Sequence, residues 1–305
     1  MVDPLSTLRR WRDGLQAMPW LSLVGYGLLI MLYGTLLSLL LPVAWQPALK
    51  RVLLVVPLSL IVAKDFACLP LGLQRLKLSR ARGESRWQRL LAALPPELLA
   101  YTRLERAMWR GFFSWALRRR PAARPAGTPL GYLERGSYGT VICCVLLALF
   151  VEMPLDTFIV SLLAKNPAQA HTLHLLFGAF VLYSLVWIMG DRWYVLGRRH
   201  HVLTATTLEL DIGARGWGSI PLDAIASCEK LNESRREWCQ RHAFPVHATR
   251  TVSPCDGPNL VLLLKPGSDV RLHLLQAERG GDGPIFLYLD APAQFMAGMP
   301  LPVLP

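Results

Sequence analysis

The chain has 305 residues, of which 52% are hydrophobic, and a formal net charge of +12. Its six cysteines lack both C-x-x-C and disulfide-scaffold spacing, which excludes a small secreted stapled domain and suits free thiols in a reducing compartment. No Walker loop, G-x-S-x-G, H-E-x-x-H or dinucleotide fingerprint occurs, so the sequence gives no motif for catalysis and no cofactor is expected.

In chain order, residues 1–19 form a short basic segment with Arg9, Arg10 and Arg12. Four apolar stretches follow, near 20–43, 50–72, 138–163 and 172–191, and they predict a membrane bundle of about four helices. Residues 21–43 carry no charge, and Trp20 and Trp45 flank them as aromatics flank a membrane span. The run is too long for a cleaved signal peptide, and no A-x-A site follows it. The second stretch is weaker. Pro57 interrupts it, and Lys64 and Asp65 close it. Starting near Pro47, with Lys64 snorkelling, it is long enough to cross; a re-entrant or interfacial segment is the other reading. These two helices occupy 20–74, a basic loop 75–136, and the second helix pair 137–197.

Within the loop, 86–94 is amphipathic, Pro95 and Pro96 break the chain, and a second helix covers 97–120. Trp109 and Trp115 are interleaved there with Arg103, Arg106 and Arg110, and Arg118, Arg119 and Arg120 close the helix. Aromatics and arginines on opposite faces describe a helix in the headgroup region, meeting anionic lipid. A helix packed on the other spans with a solvated basic face fits the pattern too. The aromatics are placed as anchors rather than as base-stacking platforms, so nucleic acid is not expected. Residues 121–129 read as a linker into the third span, and Asp191 with Arg192 as a snorkelling pair at the end of the fourth. Residues 64–137 hold fifteen Lys/Arg against five Asp/Glu. The positive-inside rule then puts this loop and both termini in the cytoplasm.

Glu152 and Asp156 lie four residues apart on one face of the third span, with Glu152 about 20 Å deep at 1.5 Å per residue. His171 and His174 open the fourth span at matching depth. The group reads either as a proton- or cation-responsive site or as a structural hydrogen-bonded pair.

Beyond residue 197 the pattern alternates. Leu208, Leu210 and Ile212 alternate with Thr207, Glu209 and Asp211, a half-buried strand, and a further strand holds Leu222, Ile225 and Cys228. Residues 260–264 and 270–274 predict a hairpin around Pro266 and Gly267. Residues 285–289 form another strand, and Asp290 is placed to cap a helix over 291–299. His200 and His201 read as interfacial anchors. In the insert 232–258, Cys239, His242, His247 and Cys255 offer two thiols and two imidazoles for a metal, or an ordinary polar loop that contacts a partner.

The segment "HVLTATTLELDIGARGWGSIPLDAIASCEKL" (201–231), the later "NLVLLLKPGSDVRLHL" and the closing "LYLDAPAQFMAGM" are similar to bacterial pleckstrin-homology-like (PH-like) domains attached to membrane spans. Ile220, Pro221, Leu222 and Ile225 fill the Ile-Pro-Leu-x-x-Ile step of that pattern, and the insert 232–258 departs from it. The resemblance implies a small antiparallel roll with a terminal helix over 198–305. Those residues carry eleven Lys/Arg and eleven Asp/Glu, so the roll itself has no basic excess to attract anionic lipid.

The expected fold is α+β: a multi-span helical bundle in a bacterial inner membrane, followed by a cytoplasmic PH-like roll. The expected function is a non-catalytic scaffold or regulatory module for a protein partner or a second copy. The alternative is an ion- or proton-coupled transporter component using Glu152, Asp156 and His174.

Overall fold

The computed structural model describes residues 14–298 except 17, 19, 41, 43, 122–124 and 165; the side chains of 21, 32, 35, 36, 38–40, 50, 163, 198 and 247 are also outside the description. The basic segment 1–19 therefore lies largely outside the described residues. Contacts divide the chain into two units, Met1–Ala100 and Tyr101–Pro305.

The first unit holds α1 (Trp20–Leu40), α2 (Gln46–Ala81) and α3 (Arg86–Ala93). Pro57 touches the Gly27 position and Leu53 the Gly34 position, so α1 and α2 pack antiparallel. Helix α2 starts with Pro47 in its first turn, where a missing N–H costs nothing, and runs unbroken for 36 residues. It passes straight through Lys64 and Asp65. Lys64 does not snorkel: it is 1% exposed, and its ammonium lies 5.1 Å from the centre of the Trp20 ring. It donates to the backbone oxygens of Leu15, at 2.8 Å, and of Met18. Carbonyl oxygens replace the water that the charge would otherwise seek. Helix α3 opens on a reciprocal Ser85–Gln88 capping box.

Helix α4 (Pro96–Ala116) leads into the second unit, where α5 (Tyr138–Leu163) and α6 (Pro167–Arg198) form a hairpin. Asn166 caps α6 by accepting from Gln169 N at 2.8 Å. Among the described residues, three helical stretches are long and apolar enough to cross a membrane: Gln46–Ala81, Tyr138–Leu162 and Pro167–Gly197. Phe150, Phe158, Leu175 and Phe180 are exposed on the hairpin, as a lipid-facing surface requires.

The strands build two sheets. The first runs β1 (Thr128–Gly131), β2 (His200–Leu203), β3 (Thr207–Asp211), β4 (Gly216–Pro221), β8 (Leu272–Leu274) and β9 (Ala277–Arg279), antiparallel throughout. The second runs β5 (Ile225–Lys230), β7 (Leu260–Leu264), β10 (Ile285–Leu287) and β6 (Arg250–Val252). Here β5, β7 and β10 pair antiparallel, while β10 and β6 are parallel. Leu208, Ile220 and Leu272 of the first sheet meet Ile225, Leu262 and Ile285 of the second in one core. Phe295 of α8 (Pro292–Gly298) enters the same core, so a C-terminal helix does plug the sheets.

Three expectations about the sheets and their flanking segments are corrected. Strands 260–264 and 270–274 do not pair with each other. The apolar run Leu260–Leu264 is a central strand between β5 and β10, and the turn after it carries the chain across to the other sheet. Asp290 does not spend its carboxylate on the terminal helix; it accepts from Glu134 N and Arg135 N at 3.0 and 2.9 Å. The stretch 121–129 is not linker throughout, since Thr128 and Pro129 belong to β1, an edge strand where proline is tolerated. The α5–α6 hairpin is therefore inserted between two neighbouring strands of one sheet.

Candidate functional site

The residues that join hairpin to sheets converge on the ends of α5 and α6. Tyr138, the first residue of α5, donates its hydroxyl to Asp191 Oδ2 of α6 at 2.9 Å. Arg215, at the end of the 3₁₀ turn Gly213–Arg215, places Nε 2.9 Å from Asp191 Oδ1. The same guanidinium lies 5.6 Å from the centre of the Tyr138 ring and donates to Pro254 O at 2.7 Å. Burial alone would push the Arg215 pKa down, but the adjacent Asp191 carboxylate, together with Cys255 and Tyr138, outweighs it and holds the group above its ordinary value. Ser137 N donates to Asp256 Oδ1 at 2.8 Å, and Val195 of α6 lies in the sheets' own core with Tyr138. Asp191 is thus no partner of Arg192 in a snorkelling pair. It is the hairpin's attachment to the sheets.

His201 is corrected as well. It is fully buried in β2, its ring centre lies 4.7 Å from that of Tyr132 in a tilted pair, and its Nδ1 accepts from Asp211 N at 3.0 Å. A histidine following the span reads as an anchor only if the strand containing it is missed.

Helix α4 runs alongside the last turns of α6 in the same direction. Glu105 accepts from Tyr183 and Trp187 at 2.8 and 2.9 Å, and Trp193 Nε1 reaches Arg119 O at 3.2 Å further on. Between these contacts the backbones touch: a Cβ on Gly190 would sit 2.1 Å from Met108 O, and one on Gly111 2.5 Å from Gly190 O. Leu104 and Met108 pack on Trp187, Tyr194 and Ala214. Of the two sequence readings of this helix, the packed one describes its buried face. Gly213 lets the 3₁₀ turn reach the same place, since its φ is +76° and a Cβ there would meet Tyr194 Cβ at 2.7 Å.

The rest of α4 stays exposed at Arg103, Arg106, Trp109, Arg110 and Trp115. The helix ends at Ala116 rather than 120, and Arg118, with φ +51°, turns the chain away, so the exposed Arg118, Arg119 and Arg120 follow α4 instead of closing it. Arg103, Arg106 and Arg110 line a cleft of about 390 Å³, closed on its far side by Tyr194, Trp217 and Gln276. Trp217 is held flat by stacking on His273, with ring centres 4.7 Å apart, and Gln276 is fixed by donating to Ala214 O at 2.7 Å. Aimed arginines with fixed aromatic and amide walls can bind an anion.

The intramembrane candidates are not brought together. Asp156 is buried, Glu152 is partly so, and His171 and His174 are exposed. No described hydrogen bond or ion pair links these carboxylates to these imidazoles. The insert is not a free loop either. It forms α7 (Arg235–Arg241), begun by a reciprocal Ser234–Glu237 capping box, and Trp238 and Cys239 bury against Val261 and Phe286 on the second sheet. Cys239 thus faces an apolar cluster, His242 stacks on Trp238 with ring centres 4.0 Å apart, and Cys255 is exposed. The His247 side chain lies outside the described residues, and among those described no three metal-type ligands gather.

The sequence reading missed Tyr138, Arg215, Trp217 and Gln276. Only Tyr138 had a local signal, as an aromatic beside Gly139 at the start of an apolar stretch. Comparison with protein-family models, with curated proteins and with solved structures finds no match.

Proposed function

We propose that this chain is a non-catalytic multi-pass protein of a bacterial inner membrane. Helix α1 is a fourth span in this reading, and both termini are cytoplasmic, as the basic stretch between the second and third spans favours. The two sheets and α8 form a PH-like roll, held at the cytoplasmic surface as a scaffold or regulatory module for a protein partner. The exposed basic face of α4 rests against anionic headgroups beside it.

The observation that supports this is the attachment of roll to hairpin. A roll needing only a tether would be served by a flexible linker. This one takes its first strand from before the hairpin, shares Tyr138 and Val195 with its core, and joins Asp191 to Arg215. Such a connection fixes which surface points away from the membrane, as presentation to a partner requires.

Affinity capture from native membranes tests the reading, comparing the full chain with one ending at Gly197. The expected result is a partner lost on truncation while membrane insertion persists. A partner set unchanged by the truncation would contradict it.

A further inference from the structure

We infer that the cleft lined by Arg103, Arg106 and Arg110 is a binding site for one phosphate-bearing group, closed by Trp217 and Gln276 of the β-domain. The inference rests on the membrane-surface part of the reading above and makes it specific: α4 does more than lie against a charged bilayer.

Four observations carry it. The three arginines stand at i, i+3 and i+7, so their side chains follow one stripe of α4. Like charges at those spacings oppose one another on a helix, and among the described residues none of the three has a hydrogen bond or ion pair. By contrast, three arginines of the β-domain have acidic partners: Arg215 with Asp191, Arg241 with Glu233, and Arg271 with Asp269. Finally, the stripe borders a concavity that is open to solvent on one side. Its walls come from the β-domain and from Tyr194 on the last turns of α6, and they are themselves locked by stacking and hydrogen bonding.

Three cations held without counter-charge beside fixed walls suit a compact, multiply charged acceptor. A phosphate offers several oxygens, each able to take a forked guanidinium contact, whereas a single carboxylate satisfies one fork. The volume of about 390 Å³ lies within the range of small-molecule sites and admits a headgroup rather than an acyl chain with it. Tyr194 lies four residues before the end of α6, so an anionic lipid could present its phosphate from the adjoining leaflet. A dissolved phosphate could also enter from the open side. The recognising chemistry is the same in both cases.

The test uses the full chain in phosphatidylcholine nanodiscs, with or without phosphatidylglycerol, and inorganic phosphate as the soluble probe. Retained lipid is counted by native mass spectrometry, and phosphate binding is measured by calorimetry. Three triple variants are compared: R103Q/R106Q/R110Q, the charge-conserving R103K/R106K/R110K, and R118Q/R119Q/R120Q outside the cleft. All nine substitutions replace exposed side chains, so folding is spared.

The expected result is that the first variant weakens retention of phosphatidylglycerol, or binding of inorganic phosphate, by roughly tenfold or more. The lysine variant should lose most of the same affinity, because its point charges lack the guanidinium fork. The variant outside the cleft should stay within about twofold of wild type. Loss of lipid retention alone identifies a headgroup as the source, and loss of phosphate binding alone identifies a soluble anion. Full binding by the lysine variant would overturn the proposal, since diffuse attraction then suffices, as would equal loss in the variant outside the cleft. Either failure leaves partner capture through the roll standing, because that measurement does not depend on these arginines.

Discussion

Arg215 touches three parts of the chain that are far apart in sequence: Asp191 on α6, Tyr138 on α5 and Pro254 near the end of the insert. Its side chain is 24% exposed and that of Asp191 14%, so removing either partner strands a largely dehydrated charge. Arg215→Met should therefore cost about 3–5 kcal/mol, and the double variant Asp191→Leu/Arg215→Met should regain most of it. Thermal unfolding in detergent checks this, and equal losses in the single and double variants would deny the coupling. The cysteines give a second prediction at this scale. Burial, with the charge of Glu229 adding to it, pushes the Cys228 thiol up to about 12, and Cys239 is also raised by burial. Since the thiolate is the reactive form, alkylation of the native protein near neutral pH should modify exposed Cys255 and spare Cys228 and Cys239 until unfolding. Peptide mass spectrometry reads the pattern.

At the scale of elements, the α4–α6 crossing is held by absent side chains as much as by present ones. Gly190→Ala would drive a methyl into the Met108 carbonyl, a backbone atom that cannot swing aside. The expected cost is about 1–3 kcal/mol, with faster tryptic cleavage at Arg118, Arg119 and Arg120 as α4 loosens. Unchanged cleavage would show that the crossing is not what orders that segment. The long helices were legible because each carries its signal locally, as unbroken apolar runs or as the Pro95 and Pro96 break. The alternation at 207–212 marked β3 for the same reason. Pairing was not legible. Leu260–Leu264 looks the same as a hairpin arm or as a central strand, and only the finished sheets decide between them. β1 was hidden by Pro129, and β2 by two histidines following a span. α7 was readable from Ser234-x-x-Glu237, a capping signal that was overlooked. In the cleft, the arginines and their spacing were visible in sequence. Trp217 and Gln276 were not, because a long-range fold brings them there.

For the whole molecule, the proposed cleft requires that the β-domain and the α5–α6 hairpin move as one body. Their shared core, the inserted position of the hairpin between β1 and β2, and the Asp191–Arg215 pair all act to that end. A loosely held roll could still bind a partner, but it could not keep Trp217 and Gln276 facing the arginines of α4. The most direct measurement is a spin-label distance in lipid nanodiscs between Ala168→Cys at the start of α6 and Asp223→Cys on the β-domain. Both positions are exposed. The other exposed cysteines are replaced by serine, and buried ones are left in place. One narrow distance distribution is expected, broadening when Arg215→Met is added. A broad distribution in the labelled chain without that substitution would contradict it.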